Sequence, residues 1–191
     1  MKQIPITQER FAIVDDEDFE RIAAHSWAIN PQGTGYAVRK GSKRRGEPRT
    51  VHMHREVLGL TGGEIVDHIN GNGLDNRKSN LRVADTQKNA FNRGKPNVPC
   101  TSQYKGVISR KGSPSWHARI KFKDKCVELG AFRDESDAAA AYNIGARTFF
   151  GDFRRENQGD GELTGADRER VIQKIRNAID KNGWAITPEA T

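Results

Sequence analysis

Val66-Asp67-His68-Ile69-Asn70-Gly71-Asn72-Gly73-Leu74-Asp75-Asn76-Arg77-Lys78-Ser79-Asn80-Leu81-Arg82-Val83 is the densest polar cluster in the chain. Its two ends read as short strands. The Asn/Gly-rich middle reads as a long loop, because Asn and Gly tolerate the positive backbone angles that turns require. A helix is predicted to follow, from Asp85 or Thr86 to about Phe91.

This mixture suits phosphodiester hydrolysis. A water must be activated, a phosphate charge neutralised and a leaving oxygen stabilised. A histidine near neutral pKa serves the first task, and a divalent cation serves the other two. Hard cations such as magnesium prefer oxygen ligands and retain several waters. Asp67 offers a carboxylate and Asn89 an amide carbonyl about one turn into the helix. His68 is the candidate base, and the Asn80 side-chain carbonyl is a candidate partner to fix its tautomer. A regular strand points adjacent side chains to opposite faces, so this reading requires the strand to end or bend at Asp67-His68. Each residue alone has a plainer use: Asp-His as a turn or cap, the Asn/Gly run as a turn. Asn76 is a rival for the role of Asn80, with loop formation as its plainer use, and His54 is read as structural.

The rest of the chain sets the context. Its 191 residues suffice for one ordinary domain or two small ones. A hydrophobic content of 35% leaves a modest core. The net charge of +7 and pI of about 9.6 favour a polyanionic partner, and the positive excess lies before residue 158. No apolar run approaches the roughly 20 residues of a membrane span. No secretory signal is visible, so a cytoplasmic location is expected and no membrane partner. Cys100 and Cys126 are too few for a disulfide framework or a four-cysteine zinc site and read as reduced thiols.

Ahead of the cluster, Phe11–Val14 and Tyr36–Arg39 read as strands. Asp15 or Asp16 is placed to cap a helix running to Ala24, with the acidic run Asp15–Asp18 read as capping rather than metal binding. Residues 40–49 form a basic loop, and Val51–Leu58 resumes an apolar pattern. Pro96 and Pro99 mark a linker at 96–102. Beyond it, Trp116, Ala118, Ile120 and Phe122 alternate with His117, Arg119, Lys121 and Lys123: a half-buried strand with a basic outer face. Asp124-Lys125 is read as a turn leading into a second strand, Cys126–Phe132. An alanine-rich helix then runs to Gly151. A final amphipathic helix between Leu163 and Trp184 pads this domain or mediates dimerisation. The expected class is α+β, with domains at 1–95, 103–157 and a tail at 158–191.

Two resemblances follow. Val51-His52-Met53-His54-Arg55, Asp67-His68-Ile69-Asn70-Gly71-Asn72, Asp75-Asn76-Arg77, Asn80-Leu81-Arg82 and Asn89 resemble the HNH nucleases, in their homing-endonuclease-like branch common in phages. The likeness covers residues 50–93. It implies a ββα-metal fold in which His68 is the general base, Asn80 orients it, and Asp67 with Asn89 binds one divalent ion. The last position is Asn89 rather than histidine, which points to magnesium, with manganese as the alternative. No flanking Cys-x-x-Cys pair is present, so no structural zinc is expected. Arg55, Arg77, Arg82 and Arg93 are candidate phosphate clamps. A phage gene would place the protein in host bacterial cytoplasm.

Tyr104-Lys105-Gly106-Val107, Trp116-His117-Ala118-Arg119-Ile120, Leu129-Gly130-Ala131-Phe132 and Glu135 through Gly151 resemble an AP2 domain, over 103–157. That family is a three-stranded antiparallel sheet packed on one helix, with the sheet in the DNA major groove. The resemblance implies that Lys105, Arg110, Arg119, Lys121 and Lys123 face double-stranded DNA. Ile108, Cys126 and Glu128 depart from the contact residues of plant members, so their target sequence does not transfer. Together these features predict a metal-dependent DNA endonuclease, with a monomer favoured. The rivals are a DNA-binding regulator with an inactive nuclease domain and an RNA-directed protein.

Overall fold

The structure is a computed structural model that describes residues 1–30, 35–43, 46–94, 101–159 and 161–186. Most of the expected linker at 96–102, including Cys100, and positions 44 and 45 of the basic loop lie outside the described residues. The chain divides into two units, residues 1–92 and 93–191.

In the first unit, short alternating segments pair in sequence order. β1 (Lys2–Pro5) and β2 (Phe11–Val14) form an antiparallel hairpin with Lys2 opposite Val14. α1 (Asp16–Ala23) follows and buries Ile22. β3 (Ala28–Ile29), β4 (Ala37–Lys40) and β5 (Thr50–His52) form an antiparallel sheet with β4 central. The apolar pattern expected at 51–58 splits into β5 and the short helix α2 (Met53–Val57). β6 (Ile65–His68) pairs with β7 (Leu81–Ala84), and α3 (Thr86–Asn92) packs on both. Ile4, Ala12, Val14, Ile22, Met53 and Val57 form a core that Val66 and Leu81 join. That contact seats the β6–β7 pair on the rest of the unit.

The acidic run before α1 does something other than cap. Asp15 stands at the N-cap position but makes no side-chain cap bond. Its carboxylate accepts the Lys78 backbone N–H at 2.8 Å. Glu17 and Asp18 pair with the Lys78 ammonium at 2.6 and 3.0 Å. These acids therefore anchor the far end of the Asn/Gly loop, a long-range use that a local capping rule does not reveal.

In the second unit, β8 (Val107–Ser109), β9 (Trp116–Phe122) and β10 (Lys125–Phe132) form an antiparallel sheet with β9 central. The hairpin turn is Lys123-Asp124, at φ 44° and 64°, one residue earlier than expected. Two consecutive positive angles match the twist of the strands they join. α4 (Glu135–Phe150) covers the inner face, burying Ala138 to Tyr142 against it. Gly145 permits this approach, since a Cβ there would lie 3.0 Å from Leu129. α5 (Gly165–Asn182) packs on β10 and α4, and Trp184 beyond it meets Phe122 edge-on at 5.1 Å. The tail thus completes this unit's core.

Candidate active site

Val66, Asp67 and His68 at the end of β6 are all buried, so both faces of the strand are covered. The strand ends at His68, where the chain turns into the loop, and the two polar side chains have separate partners. Asp67 lies opposite Arg82 in the β6–β7 register. Arg82 donates from Nε to Asp67 Oδ2 at 2.8 Å and pairs through its terminal nitrogen at 2.6 Å. Asn92, at the end of α3, donates to Asp67 Oδ1 at 2.9 Å and to the His68 carbonyl at 2.8 Å. It also reaches the Ile69 carbonyl at 3.3 Å. One buried amide therefore ties the carboxylate to the strand end.

His68 meets a different set. Its Nε2 lies 3.4 Å from Asn76 Oδ1, and Asn76 is fully buried. An amide oxygen only accepts, so this contact suits the tautomer that carries its proton on Nε2 and its lone pair on Nδ1. Nδ1 is buried and has no hydrogen-bond partner among the described residues. Tyr36 stacks on the ring at 5.4 Å, and His54 meets it edge-on at 5.1 Å. The ring is held on three sides.

Asn80 is not brought to the histidine. Its side-chain carbonyl accepts the Asn70 N–H at 3.0 Å, while its amide donates to Asn70 Oδ1 and to the Asp75 carbonyl. It closes the loop across its own width. The loop also docks on β2: Ile13 N donates to the Leu74 carbonyl and Asn76 N to the Ile13 carbonyl, both at 2.8 Å. That docking delivers Asn76 to the ring. Neither Asn92 nor Tyr36 was singled out from sequence. The signal for Asn92 was its spacing of one turn from Asn89 on a predicted helix; for Tyr36 there was none.

The candidate phosphate clamps are largely engaged within the fold. Arg55 holds the Gly62 and Glu64 carbonyls, Arg77 grips the Asp75 carboxylate with Nε and a terminal nitrogen at 2.8 and 2.7 Å, and Arg82 grips Asp67. Arg93 is exposed. In the second unit, Arg110, Arg119, Lys121 and Lys123 are exposed. Arg110 lies 3.7 Å from Glu128 and Lys121 lies 3.3 Å from Asp124. Lys105 is half-buried. Its ammonium donates to the Arg93 carbonyl at 2.7 Å, and burial lowers it to about 8. Its backbone is locked to Asn157, which pairs in turn with Asn143.

The residues present fit a hard cation. Arg82 occupies Asp67 Oδ2, and Asn92 uses one of the roughly two lone-pair positions on Oδ1, leaving one there. Oδ1 faces α3 through Asn92. Asn89 is half-buried one turn earlier on that helix, and residues three apart share a face. A carboxylate and an amide carbonyl are hard oxygen donors that leave positions for water.

Burial pushes His68 below the usual histidine value, opposed by the Asn76 contact and by the Asp67 and Asp75 charges. His54 falls to about 3, chiefly by burial and then by repulsion from His68 and His52. His52 is lowered for the same first reason. These groups bind protons more readily unfolded than folded, so the stability they permit is complete above about pH 6.5 and declines as pH falls toward 3. His54 contributes a slope of about 1.4 kcal/mol per pH unit across that window. Chemical denaturation of the full chain between pH 7.5 and 4 is expected to show this loss, and His54→Leu to flatten it. Equal acid sensitivity in the variant would refute the assignment.

Residues 51–91 match the family model described as HNH endonuclease. A protein of Acanthamoeba polyphaga mimivirus, described as an uncharacterized HNH endonuclease, is 28% identical over 156 residues. That alignment covers 78% of this chain and 76% of the viral protein, so it extends well beyond the matched family segment. The segment holding His52, His54, Asp67, His68 and Asn89 is an HNH endonuclease domain, and the chain is a nuclease of the hydrolase class. No described helix is long and apolar enough to cross a membrane.

Proposed function

We propose that the first unit cuts DNA by metal-assisted phosphodiester hydrolysis and that the second holds the duplex. The observation that carries this reading is the state of His68. With its proton on Nε2 toward Asn76 Oδ1, the ring keeps a lone pair on Nδ1 that has no hydrogen-bond partner among the described residues. Burial keeps the ring neutral near pH 7, the form able to take a proton from water. As the ring charges, Asn76 Oδ1 accepts from Nε2–H and steadies the imidazolium. Tyr36 and His54 prevent the ring from turning away. Asp67 and Asn89 are the ligands of one divalent ion, magnesium or manganese, which when bound supplies charge neutralisation at the phosphate and leaving oxygen. Asn92 and Arg82 orient Asp67.

For the second unit, the sheet-on-helix arrangement of β8–β10 and α4 supports an AP2-like reading, with Arg119 and Lys121 on the exposed face of β9 meeting the major groove. Site-selective, homing-type cutting fits this pairing of a cutter with a duplex binder. The deciding experiment incubates supercoiled plasmid with protein in magnesium, in manganese and in EDTA. Relaxed or linear product is expected with either ion and none in EDTA; plasmid left supercoiled across divalent ions would mean a DNA-binding regulator instead.

The two asparagines separate in the same assay. Asn76→Ala is expected to lower kcat about 10- to 100-fold with KM retained, as for a residue that orients a reacting group. Asn80→Ala is expected to act chiefly on the melting temperature, because it leaves buried loop partners unsatisfied at about 1–3 kcal/mol each. The reverse pattern would restore Asn80 as the orienting residue.

A further inference from the structure

Beside the histidine cluster, the first unit carries a groove of about 860 Å³ along the β3–β4–β5 sheet. Trp27 and Val38 contribute apolar surface, and Lys40, Arg49, His25 and His52 contribute nitrogen. No lining residue is acidic. Arg39 also lines it, but Glu47 and Glu56 neutralise that guanidinium at 2.8 Å each. Lys40 and Arg49 are different. Both are exposed, and neither is paired with a carboxylate among the described residues.

The fold brings these two cations together. Lys40 pairs with Thr50 in the β4–β5 register, and Gly41 N donates to the Arg49 carbonyl at 3.1 Å. A Cβ at Gly41 would sit 1.8 Å from the Pro48 carbonyl oxygen, so only glycine lets the chain close here. Two exposed cations with no carboxylate partner among the described residues suit a polyanionic ligand.

The groove lies two ring contacts from the candidate base. His52 lines it, and the His52 ring stacks on His54 at 5.1 Å, which in turn contacts His68 at 5.1 Å. We infer that this groove seats the phosphate backbone of the DNA strand flanking the cut, with Lys40 and Arg49 as its phosphate contacts. The inference rests on the DNA-cutting reading above and adds to it a holding surface inside the nuclease unit, separate from the β8–β10 sheet. Two charge–phosphate contacts beside the scissile bond set register and carry no base information.

The test uses the full chain with Lys40→Gln/Arg49→Gln, beside Arg119→Gln/Lys121→Gln as a sheet comparator. Both groove residues are exposed, so the fold should survive, and a melting curve checks it. Duplex binding is measured in EDTA across salt concentrations, and phosphate-ethylation interference maps the contacts. The groove variant should flatten the slope of log affinity against log salt by about 1.8, or about 0.9 per lost phosphate contact. It should raise KM for cleavage with kcat retained, and lose interference only at phosphates adjoining the cut. Wild-type slope and interference in the groove variant, with the comparator altered, would overturn the inference and leave the DNA-cutting reading intact. A wild-type protein that binds no duplex would overturn both. Loss of single-stranded RNA binding with duplex binding unchanged would assign the groove to RNA and overturn it as well.

Discussion

His68→Ala is expected to slow DNA cleavage by about 10²- to 10⁴-fold, the usual cost of removing a general base, while duplex binding stays within about twofold. The loss should appear in kcat, because the imidazole acts on the water and not on ground-state substrate binding. The side chain is 4% exposed and enclosed by Tyr36, His54 and Asn76, so its removal leaves a cavity and lowers the melting temperature as well. His68→Gln, which refills part of that space without a base of suitable pKa, separates the two effects. It should recover stability and not activity. A His68→Ala protein that cuts at the wild-type rate would end the assignment of His68 as base.

Asp67→Ala should be as severe and should reach stability too. Asp67 and Arg82 form a buried pair, with side chains 6% and 16% exposed. Removing one partner of such a pair costs about 3–5 kcal/mol, because the other charge is left uncompensated. Asn92 would also lose its acceptor at Oδ1. Replacing both members, as Asp67→Leu/Arg82→Met, removes the stranded charge and should return most of the stability. Cleavage should remain absent in both variants at every magnesium concentration, since neither retains the carboxylate. Denaturant midpoints and plasmid cleavage, read together, check this. Cleavage restored by the double replacement would show that Asp67 supports the fold alone and would remove it as a metal ligand.

Local patterns identified much of this protein. The two-residue alternation of Trp116 to Phe122 specified β9 and its buried face, because side-chain direction in a strand follows from position alone. The alanine run and Gly151 bounded α4, and Gly183 bounded α5, because helix propensity and the left-handed cap are properties of a few adjacent residues. Asp67-His68 followed by an Asn/Gly loop places a carboxylate, an imidazole and several amides within one short segment, so the candidate site is legible as local chemistry.

What the tertiary structure decided was which groups meet. Asn76 and Asn80 stand in one loop with the same side-chain chemistry. The choice between them is made by Ile13 on β2, a strand more than fifty residues away in sequence, whose backbone fixes the loop at Leu74 and Asn76. Arg55, Arg77 and Arg82 look alike as free cations in sequence, and each proves to be held by a partner that folding supplies. The Lys105 ammonium is engaged by the Arg93 carbonyl, a partner that folding supplies. The sequence by itself determined the elements and the chemistry on offer, because those depend on neighbours along the chain. Only the tertiary structure decided that His68 pairs with Asn76 and Asp67 with Arg82 and Asn92, because hydrogen-bond partners are chosen by proximity in space.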